Sequence, residues 1–229
     1  MEKIGCGLDI VTGIGTGMHC LSSLEFETLK SRYKRVLIDI GTGDGKFPLR
    51  WAREHRDTFC VGMDPNFEVM KKTAFRASRK MSRGGVDNLI MVRGELEHPP
   101  SCLSGQADMI TVLYPWAALL RAIANASHEA LANISRLARP GCEIRLLINT
   151  HVFEMDGLAK RLGLPNLDQA YLESRLVPAL DLVGIRTIGC RRLPPGDPPL
   201  VSTWGKRLSR ASRRETFDIQ GIKQETEEP

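Results

Sequence analysis

The sequence predicts an α/β fold, a doubly wound and mostly parallel sheet with helices on both faces, and three observations support it. Short apolar β-type runs alternate with stretches of helical spacing along most of the chain. The run over 36–40 is apolar enough to be a central strand covered on both faces. It leads directly into a loop with glycine at 41, 43 and 45, and a helical pattern follows.

Taken in order, the first 30 residues read as an extension. Gly13, Gly15 and Gly17 suggest a hairpin turn and not a second ligand loop, because no apolar strand of useful length precedes them. Ser23 with residues 25–31 suggests a short capped helix. Beyond the strand and glycine loop, 47–54 has helical spacing, with Trp51 expected to plug the core. A second strand over 58–63 ends in Asp64, and a helix from Pro65 to about Met81 turns Phe67, Met70 and Ala74 inward. Strands follow at 88–92, 108–113 and 141–148, with helices about 117–138 and 166–182. The late strands 185–193 and 217–222 are joined by a long segment, 194–216, of the kind that usually carries function.

Length and composition limit the function classes. A chain of 229 residues with 42% hydrophobic content fits one ordinary globular domain. No run approaches the roughly 18 apolar residues of a membrane span and no signal-peptide core opens the chain, so a cytoplasmic protein is expected. The six cysteines are scattered without a C-x-x-C pair, which points away from zinc and disulfides and toward reduced, mostly buried thiols. The net charge of +5 includes three glutamates in the tail 225–229, so residues 1–224 carry +8, a balance suited to a polyanionic partner.

The glycine loop specifies more. A dinucleotide fingerprint would need glycine where Lys46 stands, which weakens a pyrophosphate reading. Asp64 closes the second strand where an acid meets a ribose diol, so the unit is read as an S-adenosylmethionine pocket. The plainer alternative is a tight turn with Asp64 as a helix cap. The order of strand, loop, helix, strand and acid favours the pocket.

Two further patterns concern the target. Lys72, Arg76, Arg79, Lys80 and Arg83 recur at three- and four-residue steps, and on a helix they would line one face without an opposing carboxylate. A solvated face is the bland reading; a phosphate-contacting surface explains the missing acids better. Tyr114, Pro115 and Trp116 follow the fourth strand at the ligand-binding edge. Trp204 lies in the long segment ahead of Lys206, Arg207, Arg210, Arg213 and Arg214, where an aromatic ring among cations suits stacking on a nucleic-acid base.

The D-I-G-T-G-D-G loop, the Y-P-W after the fourth strand, the R-K-x-S-R-G-G-x-x-N run at 79–88 and the carboxy-terminal W-x-K-R-L resemble the Kam-type aminoglycoside-resistance methyltransferases, which methylate N1 of adenine 1408 in 16S ribosomal RNA. The resemblance implies a Rossmann-like, seven-stranded S-adenosylmethionine-dependent methyltransferase domain over 31–223, preceded by a hairpin extension over 1–30 and followed by a flexible acidic tail over 224–229. It implies a cofactor pocket of Asp39, Gly41, Thr42, Gly43, Gly45, Asp64, Pro65, Glu97, Leu113 and Ser202, with Glu97 near the adenine ring. Trp116 and Trp204 would sandwich the flipped target base. Arg76, Arg79, Lys80 and Arg83 would dock on ribosomal RNA, while Lys206, Arg207, Arg213 and Arg214 would hold it near that base. The partner implied is the 30S subunit, met by a monomer. The amino-terminal region is longer than the pattern, and Ser212 stands where a basic residue is expected.

The chemistry asks for no general base, because the N1 lone pair is already nucleophilic and alignment supplies much of the acceleration. No histidine falls in a motif. Two rival readings stand beside this one: a small-molecule methyltransferase, which would need an enclosed apolar lid, and an inactive RNA-binding protein of the same fold, which would need no paired rings beside a methyl donor.

Overall fold

The computed structural model describes residues 7–12, 17–149, 157–193, 200 and 216–225. Its strands are β1 (Gly7–Val11), β2 (Met18–Ser22), β3 (Arg35–Ile40), β4 (Thr58–Asp64), β5 (Leu89–Arg93), β6 (Ala107–Leu113), β7 (Ala138–Asn149), β8 (Ile185–Leu193) and β9 (Thr216–Lys223). They form one sheet in the order β2-β1-β5-β4-β3-β6-β7-β9-β8. Strands β3 to β7 pair in parallel, and β9 runs antiparallel between β7 and β8. The seven expected strands are all present, and the amino-terminal hairpin adds two more by pairing Ile10 with Val92 of β5.

Period-two alternation in β3 explains both cores. Val36, Ile38 and Ile40 enter the larger apolar cluster with Phe26 of α1 (Ser23–Lys30), Leu120 and Ile123 of α4 (Ala117–Ala124), and Leu131 and Ile134 of α5 (His128–Leu137). Leu37 faces the other way, toward Phe47, Leu49 and Ala52 of α2 (Lys46–Glu54). Below α3 (Phe67–Ala77), Met70 and Ala74 pack on Val11 and Met91. Fully buried side chains such as Leu37 and Ile38 each contribute roughly 1.5–3 kcal/mol.

Several boundaries differ from the expectations. Helix α1 is capped by Ser22, not Ser23: the Ser22 hydroxyl accepts from the Glu25 amide while the Glu25 carboxylate accepts from the Ser22 amide, a capping box. The helix expected over 117–138 is two, because Ala126 takes φ 51° and Ser127 caps α5. The late helix begins at 169 and carries a π-wound middle, Leu172–Leu176. Ahead of it, α6 (Leu158–Arg161) is a single turn. Helix α3 stops at Ala77, short of Met81. The Val86 amide donates to the Ala77 carbonyl, and Gly85 lies so close to the Arg79 carbonyl that any Cβ would collide with it. Residues 79–83 therefore leave the α3 face, passing through a bend into one 3-10 turn, Met81–Arg83.

Trp51 is half-buried. It packs against the α2 cluster and stacks on His55 at 4.1 Å and 14°. Of the five described cysteines, all free thiols, Cys60 and Cys142 are buried and Cys102 and Cys190 half-buried, but Cys20 is exposed. The expectation of mostly buried thiols is thus only partly met, because β2 is an edge strand with one face open to solvent. Among the described residues no helix is long and apolar enough to cross a membrane.

Candidate active site

The carboxyl ends of β3, β4 and β6 converge on the glycine loop. The Gly41 and Thr42 amides donate to the Met63 carbonyl at 2.8 and 3.0 Å, which ties the loop to β4. Gly41, Gly43 and Gly45 all take positive φ, between 57° and 68°. A Cβ on Gly41 would meet Leu119 Cδ2 at 2.5 Å, so this glycine lets α4 close over the loop. A Cβ on Gly43 would meet nothing within 4 Å. One glycine is required by packing, and the other opens onto space that a ligand can enter.

Two carboxylates stand beside that space. Asp39, 2% exposed, accepts from the Thr111 hydroxyl on Oδ1 and from the Thr42 hydroxyl on Oδ2, both at 2.6 Å. Burial pushes its pKa up to about 7 against the pull of these hydroxyls, and the nearby Asp64 adds to the rise. Asp64 is half-buried; it accepts from the Gly43 amide on Oδ2 and the Asn66 amide on Oδ1, both at 2.9 Å. Burial raises its pKa as well, and the two amides oppose that rise. A cationic ligand offsets the cost of holding two desolvated acids together. S-adenosylmethionine, with a sulfonium and an ammonium, has the right charge, and Gly43 next to Asp64 leaves its side open.

The rim completes the site. Leu113 ends β6 and Tyr114 follows it, both buried; Pro65 follows Asp64 and is exposed, and Glu97 is half-buried, its carbonyl accepting from Asn133 Nδ2 on α5 at 3.1 Å. Trp116 is 58% exposed at the start of α4, flanked by Tyr114 at φ 58° and Ala117 at φ 49°. Such conformations cost about 1–3 kcal/mol each and persist where the surroundings enforce them. An exposed indole on a strained turn at the carboxyl edge of the sheet can stack on a flat ring.

Sequence reasoning did not identify Thr111, Asn133 or Leu119. The Thr111 hydroxyl reaches Asp39 because the two are neighbours in the β3–β6 register, which no local pattern encodes. Among the described residues no group of three histidine, cysteine or acidic side chains could hold a metal.

The basic residues are not at this edge. Helix α3 runs back from the carboxyl end of β4, so Arg79, Lys80 and Arg83 lie at its far end, about 16 Å along the axis from its start. All three are exposed, and Arg76 is half-buried. The Arg79 guanidinium lies 5.3 Å from the Phe75 ring centre, and Arg53 holds the turn by donating to the Gly84 carbonyl, from Nε at 3.1 Å and also from Nη2. Ser202, Trp204, Lys206, Arg207, Arg213 and Arg214 lie outside the described residues.

Comparison with known proteins identifies the family. The family model described as NpmA, 16S rRNA (adenine(1408)-N(1))-methyltransferase, matches residues 11–223. A 16S rRNA (adenine(1408)-N(1))-methyltransferase of Streptoalloteichus tenebrarius is 32% identical over 210 residues, covering 90% of this chain and 94% of the relative. One from Escherichia coli is 31% identical over 212 residues, covering 90% and 95%. The crystal structure of a tryptophan-to-alanine variant of such an enzyme from Catenulisporales acidiphilia, with its cosubstrate SAM, superposes with TM-score 0.87 at 28% identity, covering 97% of this chain and 99% of that one. KamB, a 16S rRNA methyltransferase, does so with TM-score 0.84 at 30% identity, covering 95% and 100%. With a family match spanning both the glycine loop and the final strand, this chain belongs to the 16S rRNA (adenine(1408)-N(1))-methyltransferases.

Proposed function

We propose that this protein transfers a methyl group from S-adenosylmethionine to N1 of adenine 1408 of 16S ribosomal RNA on the 30S subunit, and thereby confers aminoglycoside resistance. The observation that carries the reading is Trp116, an exposed indole at the carboxyl edge of β6 on the same short helix whose Leu119 covers Gly41. A ring stacked there lies beside the opening at Gly43, where a cofactor would sit. The bound cofactor supplies a methyl already activated by its sulfonium: the N1–CH3 bond forms, the S–CH3 bond breaks, and S-adenosylhomocysteine leaves.

The chain's own residues do the rest by placement. Asp64 would meet the ribose hydroxyls, Asp39 would hold the loop through Thr42, and Glu97 with Pro65 and Leu113 would border the adenine. No side chain has to remove a proton before attack, because the N1 lone pair is free. Extruding the base costs a few kcal/mol, and stacking on Trp116, with Trp204 as the second ring, would offset that cost. Ser202, Lys206, Arg207, Arg213 and Arg214 are assigned to the same base-side surface on the motif resemblance. Arg76, Arg79, Lys80 and Arg83 would contact phosphates farther away, aligning the subunit without touching the reacting base. The protein would act in this way as a monomer in the cytoplasm, where small subunits are found.

Primer extension across the decoding region tests the reading. Subunits incubated with protein and cofactor are expected to stop reverse transcription at adenine 1408, and subunits lacking the cofactor are not. Read-through in both samples would sink it.

A further inference from the structure

We propose that Tyr114 is a positioning residue for base capture, its phenol and backbone tying the strained 114–117 turn to strands β7 and β9 so that Trp116 keeps one direction. The proposal rests on the function inferred above and extends it to a residue that touches neither cofactor nor target.

The turn needs an anchor. Tyr114 and Ala117 both hold positive φ without being glycine, and between them Trp116 is mostly exposed, so packing does little to aim the indole. Its direction therefore follows from the backbone on either side. On the α4 side, Leu119 abuts Gly41, which holds the start of the helix against the loop after β3 independently of Tyr114.

Tyr114 is gripped twice. Its amide donates to the Leu147 carbonyl of β7 at 2.8 Å, while its ring is buried with Leu37, Phe47, Leu113 and Leu147. The phenol lies beside the hydroxyl of Thr216, the first residue of β9, with the Asp218 and Arg145 charges also near it. Burial pushes the phenol up to about 12, so it stays protonated and neutral at physiological pH.

Thr216 is itself held in register. Two residues on, and so on the same face of β9, Asp218 is fully buried. It accepts from Arg145 Nε and Nη2 on β7, both at 2.9 Å, from Gln220 Nε2 at 2.9 Å, and from Arg191 Nε and Nη2 on β8 at 3.3 and 3.4 Å. Asp218 faces Leu147 across the β7–β9 ladder, the residue whose carbonyl takes the Tyr114 amide. A bidentate buried ion pair with a second arginine fixes three strands against one another, and a one-residue slip would turn all these groups to the wrong face.

The test uses Tyr114→Phe, which keeps the ring, and Thr216→Val, which keeps the volume. Each is expected to lower the single-turnover rate of methylation on 30S subunits roughly tenfold, as a small misplacement of a stacking group would. Cofactor affinity, 30S affinity and Tm should stay at parent values. The double variant should be no slower than either single one, because both remove the same tie. A parent-like rate in either single variant, or losses that multiply in the double one, would overturn the proposal. So would a loss of rate matched by losses of cofactor affinity and Tm, which marks a purely structural role. If the parent itself fails to methylate 30S subunits, the target reading falls and takes this proposal with it; an active parent with an equally active Tyr114→Phe removes only the proposal.

Discussion

At the carboxyl edge of the sheet, the 41–45 loop leaves one side of Gly43 open, with Asp64 bonded to the Gly43 amide and Asp39 buried behind Thr42. At the amino edge, the 78–86 turn closes on itself: Gly85 lies against the Arg79 carbonyl, and exposed cations point outward. Both turns depend on glycine, the first because it makes room for a ligand and the second because its backbone must pass close to itself. Under the proposed function, recognition would be divided the same way. Acids and an indole occupy the edge suited to a cationic cofactor and a flat base, and arginines and lysine occupy the edge suited to phosphates.

That contrast predicts unequal costs for the same substitution. Gly85→Ala must displace backbone and is expected to destabilise by roughly 3 kcal/mol or more, visible as a fall in Tm of many degrees. Gly43→Ala meets no atom and should cost only about 1 kcal/mol for its positive φ, with the loss appearing instead in cofactor titration. Equal falls in Tm would erase the distinction.

Function should separate as cleanly. Trp116→Ala is expected to cut methylation by about 1–3 kcal/mol of lost stacking while 30S binding holds. Reversing Arg79, Lys80 and Arg83 to glutamate should do the opposite, weakening 30S binding and flattening its salt dependence by about one unit of slope per lost phosphate contact. Cofactor affinity should not change in the charge-reversed protein. If reversal leaves 30S affinity intact, the docking surface lies elsewhere.

Asp64→Ala is expected to weaken cofactor binding about tenfold by calorimetry, the scale of one charge-assisted hydrogen bond. A parent-like titration would remove Asp64 from the pocket.

The smallest effect is one of pH. In the unfolded chain Asp39 ionises at its ordinary value near 3.8, whereas in the fold it holds its proton to about 7. The native state binds more protons between those values, so the contribution of Asp39 to stability declines from about pH 4 to pH 7 and levels off above. Binding of a cationic cofactor runs the other way, since it favours the ionised form and should tighten a few-fold between pH 6 and pH 8. Asp39→Asn should flatten both profiles; an unchanged pH dependence of cofactor affinity would show that Asp39 is not coupled to the ligand.

What the sequence determined by itself was local. The apolar run of β3, the glycine loop after it, Asp64 at the end of β4 and Tyr114 to Trp116 at the end of β6 are each encoded within a few residues, because strand alternation and turn chemistry act at that range. Their order along the chain then made the α/β architecture legible. Tertiary structure decided what depends on partners distant in sequence. The steps of Arg76, Arg79 and Arg83 continue a helical pattern past Ala77, yet the helix ends there because Val86 and Gly85 fold back on it. The Thr111 hydroxyl meets Asp39 only through strand register, and the same register sets Asp218 beneath Arg145 and brings Thr216 to the Tyr114 phenol. Propensity carries no information about register or about which end of a helix meets which edge of the sheet. Those are fixed by burying both faces of one sheet at once.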